Sequence, residues 1–143
     1  MPFENGRGIR PVAIEVVAGL IYRENHLLAC QRRKGGAFPL KWEFPGGKVE
    51  PGETYLGALQ RELKEELEIE VLSATEVFRY KHSYSNQMEV DLLFFRVNHY
   101  QGAVANRVFH QLLWVAPREL KDLDFLEGDR PLIEKLVSRG LRL

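Results

Sequence analysis

Residues 46–71 read GGKVEPGETYLGALQRELKEELEIEV, and the fold turns on how this stretch is interpreted. It opens on two glycines, turns at Pro51-Gly52, and enters a segment with Leu56, Leu59, Leu63 and Leu67 at helical spacing. The spacing predicts a helix from about Thr54 to Leu67, capped by Thr54 and buried along the leucine stripe. Glu62, Glu65, Glu66, Glu68 and Glu70 crowd into its second half and end, with Glu53 just ahead. On a wheel of about 100° per residue, Glu62, Glu65 and Glu66 fall together, roughly 110° from the leucines. Standing at i, i+3 and i+4, they repel one another by about a few tenths of a kcal/mol per pair. On these residues alone a solvated acidic face is the simpler reading. The repulsion argues for a hard divalent cation, which would convert it into binding; Mg²⁺ is usually held by a few carboxylates and substrate phosphates. Arg61, beside the acids, is either a surface arginine or a bidentate partner that holds Glu53 or a neighbouring acid in place.

The rest of the chain sets the frame. Its 143 residues suit one domain with one core, spanning 1–143 with residues 1–11 as a loose lead-in. Lys plus Arg and Asp plus Glu stand at 20 each, so no global basic field points to a nucleic-acid polymer or a membrane surface. The single cysteine, Cys30 in the run LLAC, excludes an intrachain disulfide and reads as a small buried hydrophobe. No apolar run reaches transmembrane length, and MPFENGRGIRP lacks the apolar stretch of a signal peptide. These features predict a cytoplasmic protein.

Residues 12–23 and 26–33 read as a β-hairpin, 42–44 as a short strand stopped by Pro45, Gly46 and Gly47, and 69–80 and 87–99 as two further strands. HYQGAVANR is a loop, QLLWVA a strand, APREL a short helix and 129–139 a longer one. The pattern is a mixed sheet with one central and one C-terminal helix, an α/β or α+β layered domain without the regular alternation of a doubly wound fold.

Gly47, Glu53, Arg61-Glu62-Leu63 and Glu65-Glu66 stand at the spacing G-x5-E-x7-R-E-U-x-E-E-x-G-U, with Ile69 in the last aliphatic position. This arrangement resembles the box of the Nudix hydrolases, and WEFPGGKVEPGE ahead of it resembles their MutT-like branch. The resemblance implies a mixed curved sheet sandwiched between helices, with the box as a loop–helix–loop. It implies Mg²⁺ or Mn²⁺ held chiefly by Glu62, Glu65 and Glu66, with the Gly46 carbonyl as a further ligand and Glu53 as an outer ligand or positioner of water. Gly46-Gly47 would let the backbone approach metal and phosphates closely. The implied reaction is water attack at phosphorus on a nucleoside triphosphate, giving the monophosphate and pyrophosphate. The implied catalytic set is Glu53, Arg61, Glu65 and Glu66. Lys48 is a candidate point charge for phosphate or a plain surface lysine, and Arg32 a nucleotide contact or a strand-end arginine in water.

Two positions depart from the pattern. Glu68 replaces the glycine that would close the helix in the left-handed conformation; a glutamate there would cost about 1 kcal/mol, which predicts a different helix end. In NRVFHQLLWV, Phe109 occupies the position where related sequences often carry a glutamate that serves as metal ligand or base. The base role then falls to Glu53, Glu65 or Glu66, or to His110.

For the nucleobase, Asp129 at the start of the C-terminal helix is the candidate reader; helix capping alone also explains it, with Pro131 in the first turn. Ionised, it suits an exocyclic amine; protonated, it could read an oxidised purine. Phe38, Tyr84 and Phe125 are candidates for stacking. The expected substrate is an 8-oxo-dGTP-like or CTP/dCTP-like nucleotide, in a monomer or homodimer. Another nucleoside diphosphate derivative, or a nucleotide-binding regulatory domain with weak catalysis, are the rivals.

Overall fold

A computed structural model describes residues 13–84 and 88–139, so the expected lead-in at 1–11 lies outside the described residues. Eight strands and two helices follow in order: β1 Ile14–Leu20, β2 Tyr22–Arg23, β3 His26–Gln31, β4 Trp42–Glu43, β5 Gly46–Lys48, α1 Tyr55–Leu67, β6 Glu70–Ser83, β7 Glu89–Gln101, β8 Gln111–Val115 and α2 Arg130–Arg139. Short 3-10 turns at Pro117–Asp122 and Glu127–Asp129 precede α2. The strands form two four-stranded sheets, one in the order β5-β1-β7-β6 and one in which β3 pairs with β2, β4 and β8. β1 and β7 run parallel while β5–β1 and β6–β7 are antiparallel, so the sheet is mixed.

The sequence pattern explains the layering. Alternate residues of a strand face opposite sides, and here they enter separate cores. Val17 and Leu93 face the buried Leu59, Leu63 and Leu67 of α1, whereas Ala18 and Phe94 face Leu132 and Leu136 of α2. The sheets are thus held between the helices, an α+β arrangement in keeping with the expected fold. Cys30 is fully buried among the residues packed under α1. Leu56, in the first turn, leaves the expected stripe and stays 38% exposed, while Ala58 is buried. Leu63→Ala is expected to cost about 2–5 kcal/mol, because the cavity would open between α1 and β1 where little can relax; urea denaturation measures it.

Three boundaries differ from expectation. The first predicted strand divides at Ile21, whose carbonyl accepts from the Leu28 amide at 3.0 Å, so β1 and β2 serve different sheets. Gly46–Lys48, expected as a stop, is a strand paired with Val16–Ala18 of β1. A Cβ at Gly46 would fall on the Val17 carbonyl oxygen, so the pairing requires glycine. Glu68 does adopt the left-handed conformation, at φ 61° and ψ 27°, contrary to the different helix end expected. Its amide bonds the Lys64 carbonyl at 3.1 Å, and the amides of Ala105 and Arg107 satisfy the carbonyls of Leu67 and Glu66 at 2.9 and 3.1 Å. These bonds, joined by an Arg107–Glu68 ion pair at 2.9 Å, offset the strain.

Candidate active site

Thr54 starts α1 as expected, its hydroxyl accepting from the Gly57 amide at 2.9 Å. The helix is thereby fixed against β5, and its acids meet the glycine strand. Arg61 organises this junction. Its Nε and Nη2 grip both oxygens of Glu53 at 2.7 and 2.9 Å, Nη2 also reaches the Lys48 carbonyl at 3.0 Å, and Nη1 bonds Glu62 at 2.9 Å. The bidentate reading of Arg61 is the geometry found. Glu53 is held down to about 2, first by this hydrogen bonding and then by the Glu50 amide.

Glu62 and Glu66 come together one helical turn apart. Glu66 accepts from the Gly46 amide at 3.1 Å, and its carboxyl is pushed up to about 9 by burial, then by the charges of Glu62 and Glu43. A Cβ at Gly47 would stand 2.5 Å from a Glu62 carboxylate oxygen, so any side chain there would displace the Glu62 carboxylate from its present position. A carboxyl that retains its proton beside a second carboxylate is a fitting part of a donor set for a hard cation, which would displace that proton. The third acid is not in place: Glu65 is 60% exposed and 3.7 Å from Arg61. Among the described residues no three His, Cys, Asp or Glu side chains converge on one point. Arg61 holds Glu62 at 2.9 Å.

A cavity of about 470 Å³ opens from this junction and reaches Asp129. Glu66, Gly46 and Gly47 line one end, and Phe38, Tyr84 and Asp129 the other. Arg32 lies between, with Nη1 on Glu43 at 3.0 Å and Nε on the Ala37 carbonyl at 2.8 Å. Lys48 stands on the rim with its side chain exposed. Asp129 is buried, and Oδ2 has no hydrogen-bond partner. Burial first, then the charge of Glu43, drives its carboxyl well up, against a lowering bond from the Phe44 amide. The shift favours the protonated acid, which can both donate and accept.

Some expectations fail here. Phe125 is 1% exposed and packs its ring 5.1 Å from that of Phe44 in the core, away from any stacking role. Phe38 and Tyr84 do flank the cavity, with ring centroids 6.0 Å apart. His110 is exposed and outside the cavity lining, its amide bonded to the Gln31 carbonyl at 2.8 Å. Phe109 is buried against the α1 core, its amide and carbonyl both satisfied by the Asn106 side chain at 2.8 and 2.9 Å. Glu43 was not foreseen: it sits between Arg32 and Glu66, and burial raises its carboxyl against the lowering pull of Arg32. A charged residue between Trp42 and Phe44 on a short apolar strand was the signal available.

The chain matches the NUDIX domain over residues 13–136. It is 34% identical over 125 residues to the CTP pyrophosphohydrolase of Escherichia coli, covering 87% of this chain and 92% of that protein. It is 35% identical over 126 residues to the 8-oxo-dGTP diphosphatase of Haemophilus influenzae, with the same coverage of 87% and 92%. Among solved structures it is similar to the E. coli ORF135 protein, at 32% identity and a TM-score of 0.81, covering 91% of this chain and 92% of that one. Nudix hydrolases are generally dependent on a divalent metal. By fold, by the carboxylate helix and by these likenesses, the chain belongs to the Nudix hydrolase family.

Proposed function

We propose that the protein is a Mg²⁺-dependent nucleoside triphosphate pyrophosphohydrolase that releases the monophosphate and pyrophosphate. The observation that carries this reading is the continuous cavity, lined by Glu66 and the Gly46-Gly47 backbone and by the buried Asp129. Such a cavity accepts an anionic phosphate chain at one end and a flat heterocycle at the other. Glu62 and Glu66, with Glu65 and the Gly46 carbonyl, would hold Mg²⁺ or Mn²⁺. When bound, the ion would neutralise phosphate charge and orient water. Arg61 fixes Glu53 and Glu62 relative to the strand. Glu53, already saturated by Arg61 and held down to about 2, is a poor proton acceptor, which leaves the base role to Glu65 or Glu66. Lys48 and Arg32 supply positive charge along the phosphate path. The names of the relatives support a cytidine or oxidised guanine nucleotide, and the upward shift of Asp129 favours the oxidised purine, because a protonated carboxyl can meet both a carbonyl and an N–H. The reading places the enzyme in the cytoplasm as a single domain, monomeric or homodimeric, acting on free nucleotides with neither a nucleic-acid polymer nor a membrane as partner.

The base assignment is tested by comparing kcat/KM over a panel of ordinary and oxidised nucleoside triphosphates. Asp129→Asn keeps a donor and an acceptor and is expected to stay within about tenfold of wild type on the preferred base, whereas Asp129→Leu loses about 10²-fold or more. Equal losses on all bases would remove Asp129 from base reading. One observation favours the binding-module alternative: Phe109 is core, so its segment brings no acid to the site.

A further inference from the structure

β6 ends beside the nucleobase end of the cavity, and His82 and Tyr84 lie at that end of the strand. The His82 ring stands edge-on to Tyr84, centroids 4.4 Å apart at 84°. On its other side the Tyr80 hydroxyl lies 3.2 Å from His82 Nδ1. Burial pushes Tyr80 up to about 12, so its hydroxyl stays protonated; in the tautomer where it donates to Nδ1, Nε2 is the ring nitrogen that carries hydrogen. That Nε2 is buried without a hydrogen-bond partner. It points at Glu127, whose Oε1 is 3.6 Å away, just beyond bonding distance. Glu127 begins the 3-10 turn that carries Gly128 and Asp129. The turn is seated against Leu92 and Tyr84, since a Cβ at Gly128 would stand 2.7 Å from Leu92 and 3.3 Å from the Tyr84 hydroxyl.

One imidazole therefore touches both walls of the nucleobase end: Tyr84 by its ring and the Asp129 turn through Glu127. The Nε2–Glu127 contact stands at 3.6 Å, and a small adjustment of the exposed Glu127 side chain would shorten it to a hydrogen bond. We propose that His82 is a positioning residue for the nucleobase, which fixes Tyr84 and, through its Nε2 on Glu127, holds the Asp129 turn in place beside the bound base. The proposal rests on the nucleotide reading of the cavity. It assigns His82 and Glu127 to substrate affinity rather than to the chemical step.

The test is a double-mutant cycle on the preferred nucleoside triphosphate, with His82→Phe, Glu127→Ala and the double variant. Glu127 is 75% exposed, so its truncation leaves the core intact even if His82→Phe disturbs it. Each single change is expected to raise KM about fivefold with kcat within about twofold, and the double variant to stay near fivefold rather than about 25-fold, because the two residues act as one unit. His82→Gln, which keeps a donor, should recover KM to within about twofold of wild type. Unchanged KM in Glu127→Ala, multiplicative effects, or a loss confined to kcat would each overturn the clasp while leaving the functional reading standing. A wild-type protein that neither binds nor turns over any triphosphate would overturn the functional reading, and the nucleobase role of His82 with it.

Discussion

Glu66→Gln is expected to lower kcat about 10²- to 10³-fold while nucleotide affinity changes by less than about tenfold. The substitution keeps the shape of the side chain and an oxygen to accept from the Gly46 amide, so the β5–α1 junction survives. What it removes is a negative charge next to Glu62 and Glu43, where a cation and a transferring phosphate would need it. The same change has a signature that requires no substrate. In the metal-free protein Glu66 binds its proton more tightly when folded, at about 9, than in the unfolded chain, where an ordinary glutamate titrates near about 4.3. Below the lower value the folded protein holds this stability in full, and it is lost as pH rises through the upper one. In chelator, the melting temperature of wild type should therefore fall relative to Glu66→Gln between those limits. A wild type that gains on the variant with rising pH would refute the account of Glu66 as a strained, desolvated acid.

Arg61→Lys is expected to cost nearly as much turnover, about 10²-fold, despite keeping the charge. A lysine has one ammonium, whereas the arginine fork joins Glu53, Glu62 and the Lys48 carbonyl at once. With the fork gone, Glu53 is freed from the contacts that hold it down, and the turn at Pro51-Gly52 loses its tie to α1. Steady-state kinetics with a saturating divalent metal would read the effect; a variant within about twofold of wild type would show that Arg61 is only a surface cation.

The helix, its cap, its acids and their arginine were legible because each follows from local spacing. Thr54, Leu59, Leu63 and Leu67 behave as a periodic pattern dictates. What escaped depends on contacts distant in the chain. β5 is invisible in GGK because its pairing rests on what Gly46 lacks, a Cβ that would strike Val17. Glu68 takes the left-handed conformation because Arg107, 39 residues on, supports it. Glu43 and His82 acquire their settings from the folding of β3 and of the 3-10 turn beside them, which no window of sequence contains. Asp129 was identified as a candidate, but the upward shift of its carboxyl comes from burial in the fold and from Glu43 rather than from the motif EGDRP.

The most direct test of the central claim is to separate by chromatography the products formed from a panel of nucleoside triphosphates by wild type with Mg²⁺, wild type with chelator, and Glu66→Gln with Mg²⁺. The account predicts nucleoside monophosphate and pyrophosphate in equal amounts from the first alone. Diphosphate and orthophosphate as products, equal turnover in chelator, or an undiminished Glu66→Gln protein would contradict it.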